Sequence, residues 1–175
     1  MGESKTPRQV GFGGKPLTLE GTEIQVGEAA PSFTLVNGDL KSVSLSDFRG
    51  RVILLTTVPS LDTSVCNIET RRFDQEVAKL AGRIAYITVS MDLPFAQKRW
   101  CGTAETQSVV TLSDYKNHEF GKSYGIYLTD LGLLARAVFV IDAEGIIRYR
   151  EIVAEVTHEP DYEAALTAVK GLLTS

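Results

Sequence analysis

The chain has 175 residues, 43% of them hydrophobic and 23% charged, with a formal net charge of −4 at pH 7. That length supports one domain with a sizeable core, and the mild negative charge gives no footing for nucleic acid or an anionic membrane surface. No apolar run approaches the ~18 residues of a membrane span, and the opening MGESKTPRQVGFGGKP lacks the apolar stretch of a signal peptide, so a cytoplasmic location is expected.

Residues 1–15, polar and rich in glycine and proline, read as a flexible arm ahead of a single domain over 16–175. GFGG (11–14) is not a phosphate loop, because no strand precedes it and no Gly-Lys-Ser/Thr follows. LTLEGTEIQV (17–26) alternates around Glu20-Gly21-Thr22 and predicts an N-terminal β-hairpin. FTLV is a short strand ending at the turn Asn37-Gly38-Asp39. RVILLTTV (51–58) and RIAYITVS (83–90) are near-continuous apolar runs, as strands buried on both faces require. Between them, 63–81 carries Phe73, Val77 and Leu80 at helical spacing, with Gly82 able to end the helix. Strand, helix, strand implies a right-handed unit with parallel strands. Pro94 suits the first turn of a short helix, and SVVTLSD (108–114) is a third candidate strand. ARAVFVIDAEGIIRYR (135–150) is a strand pair joined at Ala143-Glu144-Gly145. In 160–173, Tyr162, Ala165, Leu166, Val169 and Leu173 share one helical face. Periodicity alone reaches an α/β domain. The order of elements is that of a thioredoxin-like sandwich, with a central mixed sheet flanked by helices.

There are two cysteines, and in the cytoplasm disulfides are usually transient and catalytic. Cys66 falls where a strand turns into a helix, the edge at which α/β proteins usually bind ligands. With Thr63 as N-cap, Cys66 is the third helical residue, close to unpaired amides and the positive end of the helix dipole. Both favour a thiolate, the nucleophilic form. An ordinary thiol is already ~3% ionised at pH 7, so full ionisation raises the thiolate population only about 30-fold. A fast enzyme must also stabilise charge in the transition state, where each placed donor is worth on the order of 10² to 10³. The Thr63 hydroxyl is one candidate donor. Arg136 is another, since a charge inside LLARAVFVI is costly unless paired. Each feature has a plainer reading: serine and threonine are common N-caps, buried cysteines pack as small hydrophobes, and arginines occur at sheet edges. Their conjunction is harder to dismiss.

Pro59-Ser-Leu-Asp-Thr63-Ser-Val-Cys66 resembles the active-site pattern of the peroxiredoxins: proline, three residues, threonine, two residues, cysteine. SMDLPFAQKRWC, ending at Cys101, resembles the second-cysteine segment of the bacterial thiol peroxidases, the atypical two-cysteine branch. GLLARAVFVID, EPDYEAAL and VGEAAPSFTL are similar to that branch too, so the likeness covers roughly residues 10–172. The resemblance implies that Cys66 attacks peroxide and becomes a sulfenic acid. It implies that Cys101 resolves it as an intramolecular disulfide, which thioredoxin reduces. Thr63 and Arg136 would polarise the peroxide and hold the thiolate, and Pro59 would shield the site from water. Hydrogen peroxide and alkyl hydroperoxides are the implied substrates, a homodimer the implied assembly, and no metal, flavin or haem is called for. With Cys66 at one helix start and Cys101 near the end of another helix, local unwinding is expected before the two sulfurs meet.

Two rival readings use the same scaffold. In one, the cysteine pair is a redox sensor that switches a partner. In the other the protein is a general disulfide oxidoreductase, disfavoured because the cysteines are not in a C-x-x-C arrangement. His118 and His158 are isolated and lack metal-ligand spacing. Glu69, Arg71 and Arg72 include solvated helix positions, and the sequence leaves open whether one of them points toward Cys66. Trp100 reads as packing; Phe33, Phe95 and the apolar residues of 126–134 could line a site for the alkyl part of a hydroperoxide, but core or dimer contacts are the favoured reading.

Overall fold

The computed structural model of the chain describes residues 8–80 and 82–174. Its elements in order are β1 (Gln9–Phe12), β2 (Lys15–Glu20), β3 (Thr34–Val36), β4 (Ser42–Ser44), a 3-10 turn (Leu45–Phe48), β5 (Val52–Thr57), α1 (Ser64–Ala78), β6 (Ile84–Ser90), α2 (Pro94–Ala104), β7 (Val109–Ser113), α3 (Glu119–Ser123), β8 (Tyr127–Leu128), β9 (Leu133–Leu134), β10 (Ala137–Ile141), β11 (Ile147–Ile152) and α4 (Tyr162–Leu173). Seven strands form the central sheet in the order β11-β10-β5-β6-β7-β3-β4. β5, β6 and β7 run parallel, and the other pairings are antiparallel, so the sheet is mixed.

The long apolar runs follow from burial on both faces. In β5, Ile53 and Leu55 join one core while Val52 and Leu54 join the other. β6 divides the same way, with Ala85, Ile87 and Val89 against Ile84 and Tyr86, and so does β10, with Ala137, Phe139 and Ile141 against Val138 and Val140. One face is covered by α1 and α4 through Phe73, Val77, Tyr162, Ala165, Leu166 and Val169. Truncating a fully buried residue such as Phe73 to alanine would cost about 3–5 kcal/mol.

The hairpin lies earlier than 17–26. β1 pairs antiparallel with β2, and Gly13 and Gly14 make the turn, with φ of 59° and 84°. Two consecutive positive φ values are the geometry of the tight hairpin turn that matches strand twist. Residues 9–12, which read as part of a flexible arm in the sequence, are therefore its first strand, while residues 1–7 lie outside the described residues. β2 then pairs with β8 and β8 with β9 in a second, four-stranded sheet. β1 also docks on the segment after β11, through Gly11 N–H to the Ala154 carbonyl at 2.7 Å and Val156 N–H to the Gly11 carbonyl at 2.8 Å.

Candidate active site

Thr63 is the N-cap of α1 with extended backbone angles, and Cys66 is the third helical residue. The Thr63 hydroxyl does not cap the helix; it donates to the Ser60 carbonyl at 3.0 Å. This leaves the first-turn amides without the usual side-chain partner, in a stretch that has no carbonyl one turn back. Pro59 is buried just after the end of β5, Thr63 is exposed, and Cys66 is 0% exposed. Cys66 sits in a small apolar cluster with Val58, Leu61, Trp100 and Ala104, and Cys101 and Val109 pack against it.

Arg136, immediately before β10, is only 2% exposed. Its guanidinium is fixed three ways. Nε donates to the Val156 carbonyl at 2.9 Å, Nη1 to Glu69 Oε2 at 2.6 Å and Nη2 to Cys66 Sγ at 3.3 Å. The planar fork of arginine suits this, since its donors point in fixed, diverging directions. Burial pulls the Arg136 pKa down, but Glu69 and Cys66 oppose it and the net shift is upward, so the residue is a permanent cation.

Sequence reasoning left open which of Glu69, Arg71 and Arg72 points toward the site, and the structure makes it Glu69. It is completely buried rather than solvated, and its second oxygen, Oε1, has no hydrogen-bond partner among the described residues. Burial pushes its pKa up to about 7; Arg136 opposes that rise, and Glu151 and Glu159 add to it. The available signal was the spacing: Glu69 lies three residues after Cys66 on the stripe that continues through Thr70, Phe73 and Val77, all buried. Arg72 stacks over the Tyr162 ring at 3.9 Å, and Arg71 is exposed.

Cys101 lies near the end of α2, partly exposed, with its sulfur 3.5 Å from Thr111 Oγ1 on β7. Both cysteines are free thiols. Of the five candidate residues that the sequence singles out, Cys66 and Arg136 are brought into contact, and Thr63 and Pro59 flank them on the loop. Cys101 borders the same cluster with a different polar partner. Trp100 packs in that cluster and also donates from its indole to Asn67 Oδ1 at 3.1 Å. Phe33 is core, whereas Phe95 is 64% exposed. His118 is occupied with the Tyr115 carbonyl at 3.1 Å. A cavity of about 590 Å³ lies elsewhere, between β3, β4 and α3, and includes none of these five residues.

Nucleophilic sulfur, fixed cation and helix start form an arrangement that can attack an electrophile and stabilise the negative charge released. The Redoxin family profile matches residues 25–166. A thiol peroxidase of Halalkalibacterium halodurans is 51% identical over 162 residues, covering 93% of this chain and 97% of that protein. A thiol peroxidase of Bacillus subtilis is 46% identical over 165 residues, covering 94% and 98%. Among solved structures, a peroxiredoxin-like protein from Aquifex aeolicus is 40% identical with a TM-score of 0.88, covering 94% of this chain and 97% of that one.

Proposed function

Because the chain belongs to the redoxin family and, with its thiol peroxidase relatives, is an enzyme of the peroxiredoxin type, we propose that it reduces hydrogen peroxide and alkyl hydroperoxides at Cys66 and recycles through a Cys66–Cys101 disulfide reduced by thioredoxin. The observation that carries this reading is the buried Arg136 guanidinium, held by Glu69 and Val156, donating to the Cys66 sulfur.

In the first step the Cys66 thiolate gives an electron pair to one peroxide oxygen. The S–O bond forms as the O–O bond breaks. The other oxygen leaves as hydroxide or alkoxide and takes a proton from water, and Cys66 becomes a sulfenic acid. Arg136 has five N–H groups; Val156, Glu69 and Cys66 take one each, so two are left for peroxide oxygens. The Thr63 hydroxyl gives its proton to Ser60, so it presents lone pairs and would accept from the peroxide O–H. Peroxide approaches from the helix start, past exposed Thr63, while Pro59 keeps bulk water from the sulfur.

In the second step the Cys101 sulfur attacks the sulfenic sulfur. The S–S bond forms, and hydroxide leaves with the Cys101 proton as water. Each sulfur must first leave its partner. Arg136 adjoins β10 and Thr111 lies on β7, three strand spacings apart in the sheet, a nominal distance of about 14 Å. Local unwinding of α1 or α2 is the movement we propose for bringing the sulfurs together. Thioredoxin then supplies two electrons and returns both thiols. A homodimer in the cytoplasm is the setting we propose. Among the described residues, no helix is long and apolar enough to cross a membrane.

Intact mass and free-thiol count after one equivalent of hydrogen peroxide test this. The unaltered chain should lose ~2 Da and both thiols within seconds, and Cys101→Ser should be trapped with Cys66 oxidised. Survival of both thiols for many minutes would overturn the reading. Turnover with thioredoxin, its reductase and NADPH separates an enzyme from a sensor.

A further inference from the structure

Asp92, in the turn between β6 and α2, is partly buried, and its carboxylate gathers donors from three directions. The Ser60 hydroxyl donates to Oδ1 at 2.7 Å, and the Leu61 amide and the Ser90 hydroxyl donate to Oδ2 at 2.9 and 2.7 Å. The directions are fixed by counting protons. Ser90 Oγ receives Gln97 Nε2 at 3.0 Å and the Asp92 amide at 3.3 Å, so its one proton goes to Asp92. Ser60 Oγ receives the Asp62 amide at 3.1 Å, and its proton likewise goes to Asp92.

A continuous path results. Gln97 of α2, 1% exposed, bonds to Ser90, Ser90 to Asp92, Asp92 to Ser60, and the Ser60 carbonyl receives the Thr63 hydroxyl. Gln97 also donates to the Leu112 carbonyl at 2.8 Å, anchoring the α2 end of the path on β7. At one end is the loop that presents Cys66; at the other is the helix that carries Cys101 four residues on. Leu61, whose amide Asp92 receives, packs in the same cluster as Cys66.

We propose that Asp92 is a positioning residue that ties the Cys66 loop to the Cys101 helix and so sets the two chemical steps against each other. The inference rests on the peroxidase function proposed for Cys66. Attack on peroxide needs the loop from Pro59 to Cys66 held with the Thr63 hydroxyl in place. Disulfide formation needs the same loop and α2 to come apart from their present partners. A tie between the two favours the first step and restrains the second.

The two steps are read separately. Oxidation of Cys66 is followed in a Cys101→Ser background, and disulfide formation in the full chain at saturating peroxide, through loss of the second thiol and the fluorescence of Trp100, the single tryptophan. Asp92→Ala should slow the first step about 10- to 100-fold, the scale of a lost positioning contact, while disulfide formation becomes faster than in the unaltered chain. Asp92→Asn keeps an acceptor for Leu61 and Ser90, while the Ser60 hydroxyl can rotate to accept, so it should fall between. Ser60→Ala, which removes one donor from a partly exposed position, should shift both rates in the same directions by less, and it decides the matter if Asp92→Ala fails to fold. Equal slowing of both steps, or no change in either, overturns the proposal. Failure of the unaltered chain to lose its thiols to peroxide overturns the peroxidase reading itself, and this inference with it.

Discussion

The two sulfurs border one apolar cluster and yet stand in different chemical worlds. Cys66 is sealed from solvent at the start of α1, with a guanidinium 3.3 Å away. Cys101 is partly exposed near the end of α2, and its polar neighbour is a neutral hydroxyl at 3.5 Å. Exposure alone would rank Cys101 as the more reactive. In the function proposed, the placed charge reverses that order, because a nucleophile needs a stabilised anion more than it needs access to water, and a small peroxide can reach a sulfur that large oxidants cannot. Burial without charge makes a cysteine inert; burial beside a fixed cation makes it selective.

The sharpest break of this comparison is to exchange the sulfurs' roles. Cys66→Ser should reduce single-turnover peroxide consumption to background, a loss of at least about 10³. Cys101→Ser should leave the first oxidation intact and abolish only the disulfide. Equal losses in both variants would mean the surroundings do not distinguish them. Next comes the cation. Arg136→Lys cannot reach Val156, Glu69 and Cys66 at once, and the second-order rate with peroxide should fall about 10²- to 10³-fold. Arg136→Leu should do the same and also destabilise the chain by about 3–5 kcal/mol, since Glu69 is left buried without its partner. Stopped-flow kinetics and urea titration read the two effects.

Glu69 gives a pH signature. Its pKa is raised in the folded chain, from 4.5 to about 7, so the fold keeps a proton that the unfolded chain releases. Stability should therefore fall as pH rises from about 4.5 to 7, by on the order of 3 kcal/mol, and level off above. Glu69→Gln should remove that slope while still accepting from Arg136. Urea midpoints at pH 5 and pH 8 check this, and an unchanged slope in the variant would sink it. The smallest effect belongs to Thr63. Thr63→Val should slow the peroxide step about 3- to 10-fold, one hydrogen bond's worth, and Thr63→Ser should restore most of it.

Much of the fold is visible in the sequence for one reason: β5, β6 and β10 are buried on both faces and carry unbroken apolar runs. The elements that escaped notice are those whose stability is not local. β8 and β9 have two residues each and exist because β2 pairs with β8. The hairpin was displaced because Pro16 and two glycines read as loop, although Gly11 turns both its amide and its carbonyl to the 154–156 segment, so the missing N–H of Pro16 leaves no ladder bond unmade. At the candidate site, the cost of burying Arg136 pointed to a partner, and Cys66 was a fair guess. Glu69 was legible only through its spacing on the buried stripe of α1, against the rule that acidic residues on a helix are ordinarily solvated, and Asp92 was not legible, since only the packing of α2 beside the loop reveals its partners.

The Val156 carbonyl that steadies Arg136 belongs to a segment pinned by β1, and the same hairpin reaches Glu155 through the Gly13 amide across 142 residues of chain. Arg136 itself meets Cys66 across 70 residues. A ribosome therefore releases the cysteine long before the arginine, and the arginine before the strand segment that seats it. Through most of its synthesis the growing chain carries this thiol without the guanidinium that meets it in the finished fold. On the function proposed, reactivity arrives late, when the first hairpin docks on residues 154–156, and a product cut short before Arg136 is expected to be blind to peroxide with its cysteine intact.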